Sequence, residues 1–481
     1  MSQEVRNLEP KPLWNKFADL NAVPRPSKKE ERVVEFMVDF GKNLGLEVVV
    51  DDVMNVIIKK PATAGMENRK TIVMQSHLDM VHQKNNDTVF DFESEGIKMK
   101  IEGDWVKAEG TTLGADNGLG VATIMAILES TDIPHPAIEA LFTIDEETGM
   151  TGALGLQGGY LTGEILLNLD TEDDDEFSIG CAGGVDLTAT RSYSQEEARG
   201  TSLKISVKGL QGGHSGMQIH EGLGNANKLM NRILHATNSY MHISEVMGGG
   251  LRNAIPRESN AIVVTEDIEE FNKAFETVKS ELVEEYKTIE PDMVITVSQA
   301  EDAKTRMSAD SQTAFIRAIY AAHNGVYRMS PDIEDLVETS NNVARVEVKE
   351  GKIEVLCLTR SSVESGKWDL ANNLTSAFEL AGFEVTTSGS YPGWKPNRDS
   401  EILTVLEEKY ESLFNEKPRV MACHAGLECG ILGTNYPDMD MISFGPTIKG
   451  AHSPDERASI SSAQKYWKFT MEVLKNIPVK K

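Results

Sequence analysis

The stretch TIVMQSHLDMV, residues 71–81, closes an apolar, β-branched run with a histidine and an aspartate. Alternation along a strand puts His77 and Asp79 on one side and Leu78 on the other. That pairing suits a metal-ligand imidazole whose second nitrogen meets a carboxylate. It also suits a core histidine held by a neighbour. Two further apolar runs end in the same way: AIEALFTIDEETG in Asp145, Glu146 and Glu147, and EILLNLDTED in Asp170. Adjacent carboxylates repel each other unless a cation or a shared proton compensates. One glutamate on a metal, with its neighbour free to take a proton from water, would use both. Asp116 in GADNG and His452 in GAHSPDE complete the candidate ligand set. Taken alone, Asp116 reads as a helix N-cap and His452 as a loop histidine.

The elements that must position these residues alternate. Ser27 and Glu30 form a capping-box pattern ahead of KKEERVVEFMVDFGKNLG, where Val33, Met37, Phe40 and Leu44 recur at helical spacing and Gly45 sits at the expected stop. LEVVVDD and NVIIKK read as a strand pair, TIVMQSHLD as a buried strand, and GADNGLGVATIMAILES as a turn into an apolar-faced helix. Strands alternating with helices predict an α/β domain with a mostly parallel sheet. In such sheets ligands and chemistry gather beyond the carboxyl ends of the strands. Three strand ends each delivering a metal-type ligand are not what solubility alone produces. After SIGCAGGVD the texture changes to strands and long charged helices, and the change closes at the turn-rich SGSYPGWKPNRDS. The expected plan is a first part over 1–184, an inserted α+β domain over 185–390, and a return to the first domain over 391–481.

A chain of 481 residues exceeds one ordinary core, in keeping with two domains. A formal net charge of −27 argues against nucleic acid or an anionic membrane as partner. Four cysteines without a CxxC pair give no disulfide framework, which suits a reducing compartment. Residues 1–14 have no apolar core of signal-peptide length, and no run of 18 apolar residues occurs. A cytoplasmic enzyme or binding protein is the expectation.

The ordered set SHLDMV, GADNG, DEETG, LNLD and GAHSPDE resembles the co-catalytic zinc peptidases related to carboxypeptidase G and aminoacylase. GLQGGHSG, RNAIPRE and CHAGLECG bring it closest to the aminoacyl-histidine dipeptidase branch, and the resemblance runs end to end. It implies a zinc-exopeptidase-like catalytic domain with a lid, and two zinc ions that manganese or cobalt can replace. Asp116 is then expected to bridge the ions, His77 and Asp170 to hold one, and Glu147 and His452 the other. Asp79 orients His77, and Glu146 is the general base acting on metal-activated water. His214 in GGHSG is expected to donate to the oxyanion, and in related dimers it reaches a neighbouring subunit's site; read alone, it is a turn histidine. Asn253 and Arg360 are expected to grip the substrate carboxylate, and Gly426 to approach the substrate through its backbone. Without the resemblance, Arg360 reads as a solvated strand-end charge.

The function so implied is hydrolysis of unblocked dipeptides, Xaa-His among them, by a homodimer joined through the lid or by a monomer whose enlarged lid replaces the partner. An N-acyl amino acid amidohydrolase or a carboxypeptidase would use the same metal centre. A non-catalytic binding protein would have no use for a base beside its metal.

Overall fold

The strand Ile72–His77 is buried at every position, as a central strand of a parallel sheet is expected to be. It lies between Ile138–Thr143 and Ile165–Asn168, parallel to both, and Asp440–Ser443 joins parallel on the far side of Ile165–Asn168. All four run the same way, so their carboxyl ends share one edge of the sheet. The parallel character belongs to these central strands; Glu47–Val50 and Val56–Lys60 on one flank, and Glu176–Cys181 on the other, pair antiparallel. The computed structural model describes residues 4–85 and 87–480. Residues 1–3, 86 and 481, which the domain limits drawn from sequence take in, lie outside the described residues.

The chain divides into two units, one of Met1–Gly180, Pro396–Ala422 and Leu427–Lys481, the other of Cys181–Lys395 with Cys423–Gly426. In the first unit the helix Ala115–Glu129 is apolar all round and buried over most of its length. Gly120 lets it approach the strand ends: a Cβ there would meet Ser76 Oγ at 2.4 Å and the Leu169 carbonyl at 2.6 Å. A small antiparallel sheet, too short to signal itself in the sequence, pairs Arg457–Ser459 with Trp105–Ala108 and with Ile448–Lys449. It sets the loop 450–456 beside the segment leading to residue 116.

The second unit is built on a nine-stranded antiparallel sheet. Alternate residues such as Leu187 and Ala189, Ile205 and Val207, and Ile353, Val355 and Cys357 fall on one face. The helices Ala226–Thr237, Ile268–Tyr286, Ala309–Ala321 and Glu364–Leu380 share one apolar core with that face.

Two local expectations are corrected. Ser27 caps no helix: Glu31–Asn43 begins without a side-chain cap, and the Ser27 hydroxyl donates to Asp79 Oδ2 at 2.8 Å. A buried carboxylate is the stronger acceptor, so the serine is drawn to it. The SGSY part of the turn-rich segment is the end of the strand Glu384–Tyr391, whose register shifts between Ser388 and Tyr391 where Gly389 takes a φ of +57°. Gly45 does terminate its helix in the left-handed region, its N–H bonding the Lys42 carbonyl.

Candidate metal centre and active site

Seven predicted residues of the first unit come together at the shared sheet edge, His77, Asp79, Glu146, Glu147 and Asp170 from its strand ends and Asp116 and His452 from neighbouring loops. His77 Nε2 lies 3.3 Å from Asp116 Oδ1, 3.5 Å from Asp170 Oδ1 and 4.0 Å from Glu146 Oε2. His452 Nε2 lies 3.3 Å from Asp116 Oδ2 and 2.9 Å from Glu147 Oε2. His77, Asp116 and Asp170 each present one ligand atom within 4.8 Å of the others, and so do Asp116, Glu147 and His452, and also His77, Glu146 and Glu147. Asp116 thus faces both imidazoles with different oxygens. It is no N-cap: it makes no capping bond, and its ψ of 110° turns it out of the helix it opens.

Asp79 occupies the other side of His77. Its Oδ1 is 3.2 Å from His77 Nδ1, and its two oxygens accept from the backbone N–H groups of Glu146 and Glu147 at 3.0 and 3.3 Å. One carboxylate therefore contacts the imidazole and holds the turn that carries both glutamates. Leu78 points away and is fully buried. A second acidic group behind it, Glu30, Asp79 and Asp145, is already served by Ser27, Lys28, Thr148 and Thr151.

The electrostatics are those of a cluster short of positive charge. Burial raises Glu146 well above the usual carboxylate range, and Asp170, Glu428 and Glu147 add to it while His77 opposes. Burial likewise lifts Asp170 to about 6, and raises Glu147 with help from Asp116. Burial works against charge on Asp116 too, yet its bonds with His452 and His77 hold it below the ordinary range. Hydrogen bonds to Asp116 and Glu147 carry His452 to about 11. For His77 burial opposes the charge, but Asp170, Asp116 and Asp79 together push the imidazole well upward. Among the described residues Glu147 Oε1 is buried without a hydrogen-bond partner, and Asp170 Oδ1 has only the 3.5 Å approach of His77 Nε2. Unpartnered carboxylate oxygens are costly in an interior unless a cation meets them. With imidazole and carboxylate as donors, the set fits a pair of divalent transition ions.

Three residues that the sequence reading passed over support this centre. Arg25, buried to 1% exposure, donates to the carbonyls of Leu78, Asp79 and Gly114. Burial brings its guanidinium down to about 10. Glu428 accepts from Gln75 Nε2 at 2.6 Å and Thr143 Oγ1 at 2.7 Å, and burial moves its carboxyl up to about 7. Glu456 accepts from the backbone ahead of Asp116. Both glutamates lie within motifs already noted, CHAGLECG and GAHSPDE, but a single glutamate among 75 acidic residues carries no signal of its own. Arg25 had no signal at all.

The remaining four predicted residues lie in the second unit. His214 Nδ1 accepts from the N–H groups of Gly216 and Met217 at 3.2 and 3.0 Å. Its proton therefore sits on Nε2, which is left as a donor. Burial, with Arg360 adding, drops its pKa to about 4, so the donor is neutral. The Asn253 loop runs beside it: His214 pairs with Ala254, and the Asn253 carbonyl accepts from Ser215 N–H at 2.8 Å. Arg360 is not a solvated strand-end charge. It is 5% exposed, its Nη1 donates to the Tyr391 hydroxyl at 2.9 Å, and among the described residues its Nε has no hydrogen-bond partner. The sheet covers the end of Lys352–Ser361 from both sides, which removes it from water. Gly426 follows His424, whose Nε2 is 2.8 Å from the Ser340 hydroxyl.

A parallel-centred sheet whose carboxyl edge gathers candidate metal-ligand groups of imidazoles and carboxylates defines a class, and the comparisons name it. The sequence profile of peptidase family M20/M25/M40 matches residues 73–476, and the chain belongs to that family. It is thereby a hydrolase acting on peptide bonds. It is 45% identical over 487 aligned residues to the cytosol non-specific dipeptidase of Escherichia coli (strain K12), covering 99% of this chain and 100% of that one. The crystal structure of aminoacylhistidine dipeptidase from Vibrio alginolyticus matches with a TM-score of 0.93 at 45% identity, over 100% of both chains. The M20 family metallo-carboxypeptidase Sso-CP2 of Sulfolobus solfataricus shares the fold, with a TM-score of 0.54 at 14% identity over 97% of this chain and 99% of that one. The motif resemblance read from the sequence is borne out.

Proposed function

We propose that this chain is a dipeptidase with two metal ions, zinc in the first instance and manganese or cobalt as substitutes, acting on unblocked dipeptides that include Xaa-His. The observation that carries the proposal is Asp116, which stands in two of the three candidate ligand groups at this edge and faces His77 with one oxygen and His452 with the other. Full-length identity to two dipeptidases supports the substrate class. His77, Asp116 and Asp170 would hold one ion, and Asp116, Glu147 and His452 the other. When bound, such ions polarise a peptide carbonyl and acidify water.

The protein's own residues supply the rest. Glu146, raised by burial and by its carboxylate neighbours, takes a proton from the attacking water and passes it to the leaving amine. Asp79 keeps the His77 ring and the Glu146–Glu147 turn in place. His214 offers a neutral Nε2–H to the oxygen that becomes anionic. Arg360, helped by Asn253, grips the substrate carboxylate, and Gly426 lets the substrate approach the backbone. We assign the catalytic role to the first unit and a lid and homodimer role to the second, with the boundaries near 185 and 390 read from sequence. We assign the enzyme to the cytoplasm, which the name of its Escherichia coli relative, a cytosol dipeptidase, supports.

The test is a substrate panel on protein stripped of metal and reloaded with zinc, manganese or cobalt. Dipeptides with a free amine should be cleaved, and tripeptides and N-acetyl amino acids should not. Faster turnover of N-acetyl amino acids would move the chain to the amidohydrolases, and release of C-terminal residues from longer peptides would move it to the carboxypeptidases.

A further inference from the structure

A carboxyl group at 2% exposure is costly to bury unless its oxygens are fully hydrogen-bonded. Those of Glu456 are: Oε2 accepts from Leu113 N–H at 2.6 Å and Gly114 N–H at 2.9 Å, and Oε1 from Ala115 N–H at 2.7 Å and Asp116 N–H at 3.2 Å. These four consecutive amides open the helix Ala115–Glu129, where no carbonyl of an earlier helical turn can receive them. Glu456 stands four residues after His452, whose ring faces the Asp116 carboxylate. One short segment thus reaches Asp116 twice, at its side chain through His452 and at its backbone through Glu456.

Arg25 closes the loop from the opposite side. Its Nη2 donates to the Gly114 carbonyl at 2.5 Å, and its Nη1 to the carbonyls of Leu78 and Asp79 at 3.1 Å each. The Asp116 loop is therefore tied to the segment that follows His77. Gly114 makes this approach possible: its φ is +69°, and a Cβ would lie 2.6 Å from Arg25 Nη2.

We propose that Glu456 is a positioning residue that shapes the loop Leu113–Asp116 before any metal ion arrives, so that the Asp116 carboxylate already stands between His77 and His452. Arg25 is its counterpart on the other face of the loop. The proposal rests on the assignment of Asp116 as the shared ligand.

Two measurements test it. The first needs no substitution: hydrogen exchange of amides 113–116 in metal-free wild-type protein. Protection should equal that of the metal-loaded protein; protection that appears only when metal is added means the ions shape the loop, and the proposal falls. The second is cobalt binding followed by visible absorption. Glu456→Gln leaves one oxygen for four donors and turns an NH2 group toward two of them. Cobalt affinity should fall roughly 10–100-fold, the scale for groups that orient ligands, with an altered spectrum and a dipeptide KM close to wild type. Glu456→Asp keeps both carboxyl oxygens as acceptors and should lose less; it carries the test if the glutamine variant does not fold. A variant with lower thermal stability but wild-type cobalt affinity and spectrum would reduce Glu456 to a structural residue. If Asp116→Asn takes up cobalt as wild type does, the metal-centre assignment itself fails, and this proposal with it.

Discussion

Arg360 offers a sharp separation of binding from folding. It is a buried guanidinium with one hydrogen bond, to Tyr391, and no carboxylate oxygen within 4.0 Å among the described residues; the nearby Asp186 is paired with Arg252 at 3.3 Å instead. Replacing it by methionine removes a charged fork while keeping most of the volume. The lost bond to Tyr391 costs about 1 kcal/mol of stability. Relief from holding an uncompensated ion away from water is worth several kcal/mol, on the order of the penalty for a single buried charge. The second effect is larger, so Arg360→Met should melt no lower than wild type. On substrate the sign reverses. A hydrogen bond to a charged group contributes about 1.5–3 kcal/mol. At about 1.36 kcal/mol per decade, kcat/KM for a dipeptide should fall roughly 10- to 160-fold. The same dipeptide with its C-terminus amidated has no carboxylate to lose, so the variant should cleave it about as well as wild type does. The assay is kcat/KM for acid and amide with both proteins, beside thermal denaturation. Equal losses on acid and amide, or none on either, would refute the assignment of Arg360 to the substrate carboxylate.

Glu146→Gln should keep both metals by elemental analysis and lose roughly 10²–10⁴-fold in turnover, the range for a missing general base; a missing ion there, with Glu147→Gln fully loaded, would swap the two roles. His77→Ala should lose metal and all activity, whereas Asp79→Asn should retain metal with affinity or activity lower by roughly 10–100-fold; equal metal loss in both would make Asp79 a ligand. His424 is held neutral by burial, with Arg360, His214 and His220 adding, at about 3 against an ordinary 6.5. The unfolded chain therefore binds a proton that the folded chain refuses between those values, and stability falls as pH drops through that window. Melting temperature followed from pH 7 downward should decline less steeply in His424→Gln than in wild type; parallel curves would contradict this.

What was legible in the sequence follows from what each signal depends on. The strand ends that gather at the candidate metal centre could be read because period and polarity change together: an apolar run of four to six residues stops and a metal-type side chain follows, three times over. Gly45 could be read because its conformation is local. Ser27 misled because a capping box and a serine bound to a distant carboxylate share one local pattern, and only the fold brings Asp79 within reach. Arg25, Glu428 and Glu456 were hidden for the same reason: their partners are backbone groups or side chains far along the chain, and in a strongly acidic protein a lone glutamate does not stand out. The short strands that carry the His452 loop are two to four residues long, below the length at which alternation shows. The burial of Arg360 depends on strands either side of it that its own neighbours do not announce.

The central claim is that Asp116 is shared by two metal ions, with Glu146 beside them and bound to neither. Anomalous diffraction at the zinc edge, from crystals grown with zinc, tests it directly. Two peaks are predicted, each with an Asp116 oxygen about 2.0–2.2 Å away, one beside His77 and Asp170 and the other beside Glu147 and His452. A single peak, or an ion ligated by Glu146 or Asp79, would contradict it.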